Sequence, residues 1–178
     1  MKRTLLTFGL ISGAISSFLM VATVQFENAI GFDRAEWLGY ALIVLSLLLV
    51  FFGIRSYRDT AGAGRITFAR AFAVGISITA ISCVCYVITW EILYFTVLHD
   101  FMDKYGAHII EKMKASGATA AAIQAQTREI QHTKTLYENP FYNAAITFLE
   151  PFPVGLIITL ISAVLLRKTT AQAAGIHA

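Results

Sequence analysis

The chain has 178 residues, 57% of them hydrophobic and only 14% charged, with a mean hydropathy of +0.66. Soluble domains carry roughly a quarter of their residues as charges, so this composition excludes a soluble globule and points to one compact membrane unit. The formal charge of +3 does not indicate nucleic acid, because the basic residues cluster beside apolar runs, where membrane topology accounts for them.

Residues 4–26 form the first apolar run, preceded by Lys2 and Arg3. A basic start and apolar core also describe a secretory signal, but this run exceeds the usual core of about 7–15 residues and no clear small-x-small cleavage site follows. An uncleaved span is expected. Gly9, Gly13 and Ser17 recur every fourth residue, a small-residue pattern that lets helix backbones approach closely and here suggests internal packing rather than a dimer face.

A short polar link over residues 27–36 holds Glu27, Asp33, Arg34 and Glu36. Trp37 and Tyr40 then suit a membrane interface, and the second span is expected over residues 37–54, rich in Leu and Val and uncharged. The second link, residues 55–70, carries Arg55, Arg58, Arg65 and Arg70 against one acid, Asp59. Gly62 and Gly64 mark a turn, but the Gly-Ala-Gly stretch lacks the Walker pattern and has no preceding strand. These arginines read as topogenic residues facing lipid headgroups.

The third span is expected over residues 68–98. Ala71, Gly75, Thr79 and Cys83 form a second every-fourth stripe of small residues. Cys83 and Cys85 are the only cysteines; at i and i+2 of a helix they face different ways and read as packing residues. Glu91, beside Trp90, lies on another face. Its helical neighbours Val84, Val87 and Phe95 cannot pair with it, so a partner must come from another helix or from water.

Residues 100–138 are polar, with five basic residues balanced by five acids. Two helical pieces are expected, about 100–114 and 119–137, separated at Ser116-Gly117 with Thr119 as a cap. They form a helical hairpin on or above the membrane surface. His99, His108 and His132 lack ligand spacing. Asn139-Pro140 signals a helix start, and the fourth span is expected over residues 141–166. Pro151 and Pro153 each remove a backbone donor, so this helix should kink or restart near Glu150. Arg167 and Lys168 close it, and the tail to residue 178 is expected to be mobile.

The fold class expected is thus an all-α membrane protein, a single unit over residues 1–178 with four spans and an extracytoplasmic helical hairpin between the third and fourth. The N-terminus, second link and C-terminus hold two, four and two basic residues, whereas the first link holds only Arg34. The positive-inside rule places both termini and the arginine loop in the cytoplasm.

Four stretches carry a resemblance: GIRSYRD and GRITFARAFAVGISI around the second link, YVITWEI, and the closing ENPFYNAAITFLEPFPVGLIITLISAVLLRK. Together they resemble a bacterial family of four-span membrane proteins catalogued as a domain of unknown function. The resemblance implies the four-helix layout and an inner-membrane location, and it supplies no catalytic residue, cofactor or ligand.

No nucleophile–base pair or metal-ligand cluster suggests an enzyme, and no cofactor is called for. The expected partners are the lipid bilayer and a membrane-protein partner or a second copy of the chain. The first functional reading is action through protein or lipid contacts. The alternative is a small ion- or proton-coupled transporter or channel component using Glu91 and Glu150. At about 1.5 Å per residue, Glu91 lies about 31 Å from Arg70 and Glu150 about 25 Å from Arg167. Both acids therefore sit towards the end of a hydrocarbon core about 30 Å thick, at similar depth, where they could share a proton or cation.

Overall fold

A computed structural model describes residues 2–168, apart from the side chains of residues 27–29. The tail expected to be mobile lies outside the described residues, as does the side chain of Glu27. Eight helices make up the described chain: α1 (Lys2–Ile30), α2 (Phe32–Leu47), α3 (Leu49–Ala61), α4 (Phe68–Thr96), α5 (Phe101–Ala115), α6 (Ala120–Tyr137), α7 (Pro140–Leu149) and α8 (Pro151–Leu166). Four stretches are long and apolar enough to cross a membrane: Lys2–Phe26, Phe32–Ala61, Phe68–Thr96 and Pro140–Leu166. The second comprises α2 and α3, and the fourth comprises α7 and α8.

α4 is the central element. It packs against α1, α3, α7 and α8. Its buried residues Ala71, Val74, Gly75, Ile78, Thr79, Ser82, Cys83 and Tyr86 include the whole small-residue stripe. In a bilayer, apolar contact with lipid competes evenly with apolar contact between helices, so close backbone approach and hydrogen bonding decide which faces turn inward. Both small-residue stripes serve that purpose. A methyl group added at Gly13 would come within 2.6 Å of the Cβ of Cys85, and one added at Gly75 within 2.7 Å of the Thr159 methyl. The first stripe therefore seats α1 on α4, and the second seats α4 on α8.

Hydroxyls reinforce these seams. Ser12 donates to the Ser46 carbonyl at 2.9 Å and lies 3.1 Å from the Ser82 hydroxyl, linking α1 to α2 and α4. Thr79 and Thr159 hydroxyls lie 3.2 Å apart between α4 and α8. Thr89 donates to Ser17 at 2.8 Å, again joining α4 to α1. Large apolar side chains such as Phe18 and Leu165 face outward, as lipid-exposed groups can.

Two spans are interrupted. The second span starts at Phe32 and continues past Ile54 to Ala61, so Arg55 and Arg58 stand on α3 and only the short stretch 62–67 is a loop. No proline precedes Gly62 in this span, and Thr60 donates to the Ser56 carbonyl at 2.7 Å within that last turn. The same span breaks at Leu48. There Ser46 turns its hydroxyl back to the Ile43 carbonyl at 2.9 Å while its own carbonyl accepts Ser12. Leu48 itself keeps helical backbone angles, and its carbonyl takes the Phe51 N–H at 3.1 Å, one residue tighter than α-helical. The fourth span breaks at Glu150. Pro151 offers no N–H to the Thr147 carbonyl, which instead takes the Glu150 N–H at 3.4 Å, one residue tighter than α-helical.

α5 and α6 pack on each other. Gly106 faces Ile130 closely, and Lys134 pairs with Asp103. Thr119 caps α6 by accepting the Ala122 N–H, and Asn139 caps α7 by accepting the Phe141 N–H at 2.9 Å. α5 is tied to the start of α2: the Asp33 carboxylate lies 2.8 Å from Lys112 Nζ and 3.2 Å from His108 Nε2, and the His108 ring stacks on Phe32 with centroids 5.1 Å apart.

Candidate functional site

Besides the hydroxyl seams, two groups of polar and charged side chains lie near opposite ends of α4. The first lies where α4 meets the α7–α8 junction. Asn143 is fully buried on α7. Its Oδ1 accepts the Trp90 indole N–H at 2.9 Å and the Thr147 hydroxyl at 3.2 Å, and its Nδ2 donates to the Tyr137 carbonyl at 3.3 Å. One amide thus joins α4, α7 and the last turn of α6. Tyr137 sits in an aromatic group with Tyr94 and Tyr142, and burial first, then Tyr142, pushes its phenol up to about 12.

Glu150 is the hinge residue between α7 and α8. Its carboxylate accepts the Tyr86 hydroxyl at 3.1 Å. Glu91 stands five residues after Tyr86, about 140° further round α4 at 100° per residue. Its Oε1 is buried with no hydrogen-bond partner among the described residues. No hydrogen bond joins Glu91 to Glu150: one carboxylate is held by a tyrosine, and the other has its Oε1 unpartnered among the described residues.

The second group lies at the opposite end of α4. Arg55 and Arg58 flank Asp59, with Nε–O distances of 3.8 and 2.7 Å. Arg65 lies in the loop, and Arg70 is in the first turn of α4. The loop is fastened to the end of α8 by two reciprocal backbone bonds, Ile66 N–H to the Lys168 carbonyl at 3.2 Å and Lys168 N–H to the Ile66 carbonyl at 3.0 Å. This bridge brings Lys168 beside Arg65 and Arg70 around a cleft of about 330 Å³. The loop turns through Ala63 and Gly64, both with positive φ (48° and 79°).

Outside the spans, exposed ion pairs shift their partners in the ordinary sense. Asp33 holds the Lys112 ammonium above the usual lysine range, and Asp103 does the same for Lys134. Lys104 holds the Asp100 carboxyl below the usual aspartate range. A smaller cleft of about 160 Å³ lies at the α5–α6 end, between Tyr94, His99, Lys134 and Glu138. Among the described residues no group of His, Cys, Asp and Glu side chains is arranged to hold a metal ion.

Sequence reading singled out Glu91, Glu150 and the four arginines. It passed over Asn143, Tyr86, Ser12 and Ser46, which make the inter-helix bonds, and it did not place Lys168 with the arginine loop. The signal for the first four was a lone polar residue in an apolar run. The Lys168 contact crosses about a hundred residues of chain and leaves no local mark.

No curated protein and no solved structure matches the chain. Residues 7–168 match the family described as "Protein of unknown function (DUF4199)". That match takes in the first apolar stretch from residue 7 onward and the other three whole, with both helix breaks, Glu91, Glu150 and the arginine loop, and the chain therefore belongs to this family of unknown function.

Proposed function

We propose that this protein acts by contact with other membrane proteins or with lipids, without chemistry of its own. In this reading both termini and the arginine loop face the cytoplasm of a bacterial inner membrane, and α5 and α6 form an extracytoplasmic hairpin. The topology is supported by the eight basic residues at the N-terminus, the arginine loop and the C-terminus, against Arg34 alone in the first link. One observation carries the contact reading: the polar groups of the interior bond to one another across helix seams, so the bundle is built as a scaffold, while α6 has no buried residue. The exposed side of α6 is the surface offered to a protein partner or a second copy. Photo-crosslinkers at Ala121 and Arg128 in intact membranes should recover one defined adduct. Recovery of none, together with ion flux through the purified protein in vesicles, would overturn the reading.

A second reading, an ion- or proton-coupled component using Glu91 and Glu150, is favoured by the helix break at Glu150 beside the Tyr86 hydroxyl. Broken helices next to an acid recur at ion sites in transporters. Vesicle-reconstituted protein should then pass protons or cations, and Glu150→Gln should abolish the flux. Absence of flux in the unsubstituted protein would sink this reading.

A further inference from the structure

The cleft at the arginine end has a composition that topology alone does not require. Three cationic side chains from three elements converge on it: Arg65 from the loop, Arg70 from α4 and Lys168 from beyond α8. Among the described residues no carboxylate lines it. Asp59, whose carboxylate also feels the charge of Lys168, is ion-paired to Arg55 and Arg58. Among the described residues, Arg65, Arg70 and Lys168 form no ion pair of their own. Like charges gathered on a shared cleft repel, and an anion bound between them relieves that repulsion. Yet the Ile66–Lys168 backbone bridge holds the loop where it gathers them. Tyr57 and Thr67 also line the cleft.

The cleft also stands at a definite level. It lies at the last turn of α3, the first turn of α4 and the end of α8, which are the ends of three membrane-crossing stretches. On the spans that adjoin it, Phe68 and Leu165 are exposed large apolar side chains. A ligand suited to both features has a phosphate-type anion at the level of the helix ends and apolar chains beside the helices. Guanidinium forks match phosphate oxygens, and an ammonium adds a point charge.

We infer that this cleft binds a phosphate-type anion, presented by the headgroup of an anionic lipid. The inference rests on the contact reading above and names a lipid class for it. It is tested by native mass spectrometry of the full-length protein in detergent, offered equal amounts of phosphatidylglycerol and phosphatidylcholine of the same chain length. The unsubstituted protein should retain phosphatidylglycerol preferentially. Each neutralised cation, in the series R65Q, R70Q and K168Q, should weaken that preference roughly fivefold. The charge-preserving pair R65K/R70K should keep most of it, which separates loss of charge from loss of fold. Neutralising Lys114 and Arg128, at the far end of the molecule, should change nothing.

Inorganic phosphate in the same detergent distinguishes the source of the anion. If it binds the unsubstituted protein and not the triple variant, the cleft assignment stands and the natural ligand is a soluble phosphate. Equal retention of the two lipids with no phosphate binding, or a preference unchanged in the triple variant, overturns the inference. That outcome would leave the protein-contact reading in place, because the latter is judged by crosslinking from α6.

Discussion

The Trp90 indole N–H reaches across from α4 to the Asn143 side-chain oxygen on α7 at 2.9 Å, and Asn143 passes the connection on to the Tyr137 carbonyl. The central helix, the start of the last span and the end of α6 therefore share one buried amide. Asn143→Ala would leave the indole N–H, the Thr147 hydroxyl and a backbone carbonyl without this partner. An orphaned buried polar group costs about 1–3 kcal/mol, and inter-helix bonds in membranes fall towards the lower end. Thermal unfolding in detergent should show Asn143→Ala destabilised by about 1–2 kcal/mol, with Trp90→Phe milder. Equal stability of Asn143→Ala and the parent would show that water replaces the amide.

The small-residue stripes give a second prediction, with an internal control. Gly13 lies against Cys85 and Gly75 against Thr159, whereas a methyl group at Gly39 would meet nothing within 4 Å. Gly13→Val and Gly75→Val should each force the helices apart, at about 1–3 kcal/mol by the usual cost of overpacking. Gly39→Val should leave the protein folded, since it adds only a lipid- or solvent-facing side chain. Size-exclusion profiles and melting curves of the three variants decide the matter. Tolerance of Gly75→Val would mean that α4 and α8 are not as closely seated as the structure shows.

These contacts also show what was legible in sequence. The four apolar stretches, the caps at Thr119 and Asn139 and the break near Glu150 were readable, because hydropathy, Asn-Pro and Glu-Pro act over a few residues. The break at Leu48 was not, because no glycine or proline stands beside it. The reach of α3 to Ala61 was missed because arginines were taken to end the helix, although Arg near a helix C-terminus suits its dipole. For the candidate site, Glu91 and Glu150 were visible as acids in apolar runs, while the Tyr86 partner of Glu150 was hidden by 64 residues of intervening chain.

Different surroundings for the two acids make a third prediction. Tyr86 holds Glu150, and no hydrogen bond joins it to Glu91. Infrared titration of the Glu150 carboxyl should therefore change in Tyr86→Phe and stay as it is in Glu91→Gln. The opposite pattern would mean that the two acids share one proton or ion and that the tyrosine is incidental.

Topology can be read with single cysteines. Ala63 is exposed at the turn of the arginine loop, and Ala121 is exposed on α6, at the other end of the bundle. If basic residues set the orientation, A63C should be shielded from a membrane-impermeant thiol reagent in intact cells and A121C should react. Cys83 and Cys85 need not be removed for a first comparison, since the first is buried and the second half-buried. Reaction of A63C with protection of A121C would invert the assignment.

The attachment of α5 predicts a window of pH. Lys112 and Lys134 titrate above the usual lysine value because Asp33 and Asp103 favour their charged forms. Their contribution is complete below the ordinary lysine value, about 10.4, and is lost as pH rises through the raised one. Asp100 titrates below the usual aspartate value because of Lys104. Its contribution is present above about 3.9 and is lost as pH falls through the lowered value. Hydrogen exchange of α5 amides, corrected for intrinsic pH dependence, should therefore be flat from about pH 5 to pH 9 and rise on both sides. All these pairs are exposed, so each effect is small and should shrink in high salt. Lys112→Gln should loosen α5 while leaving the amides of α4 protected, since the bond it removes is to the start of α2 alone. A transition near neutral pH, or loosening of α4 in Lys112→Gln, would show that these three ion pairs do not set the pH dependence of α5.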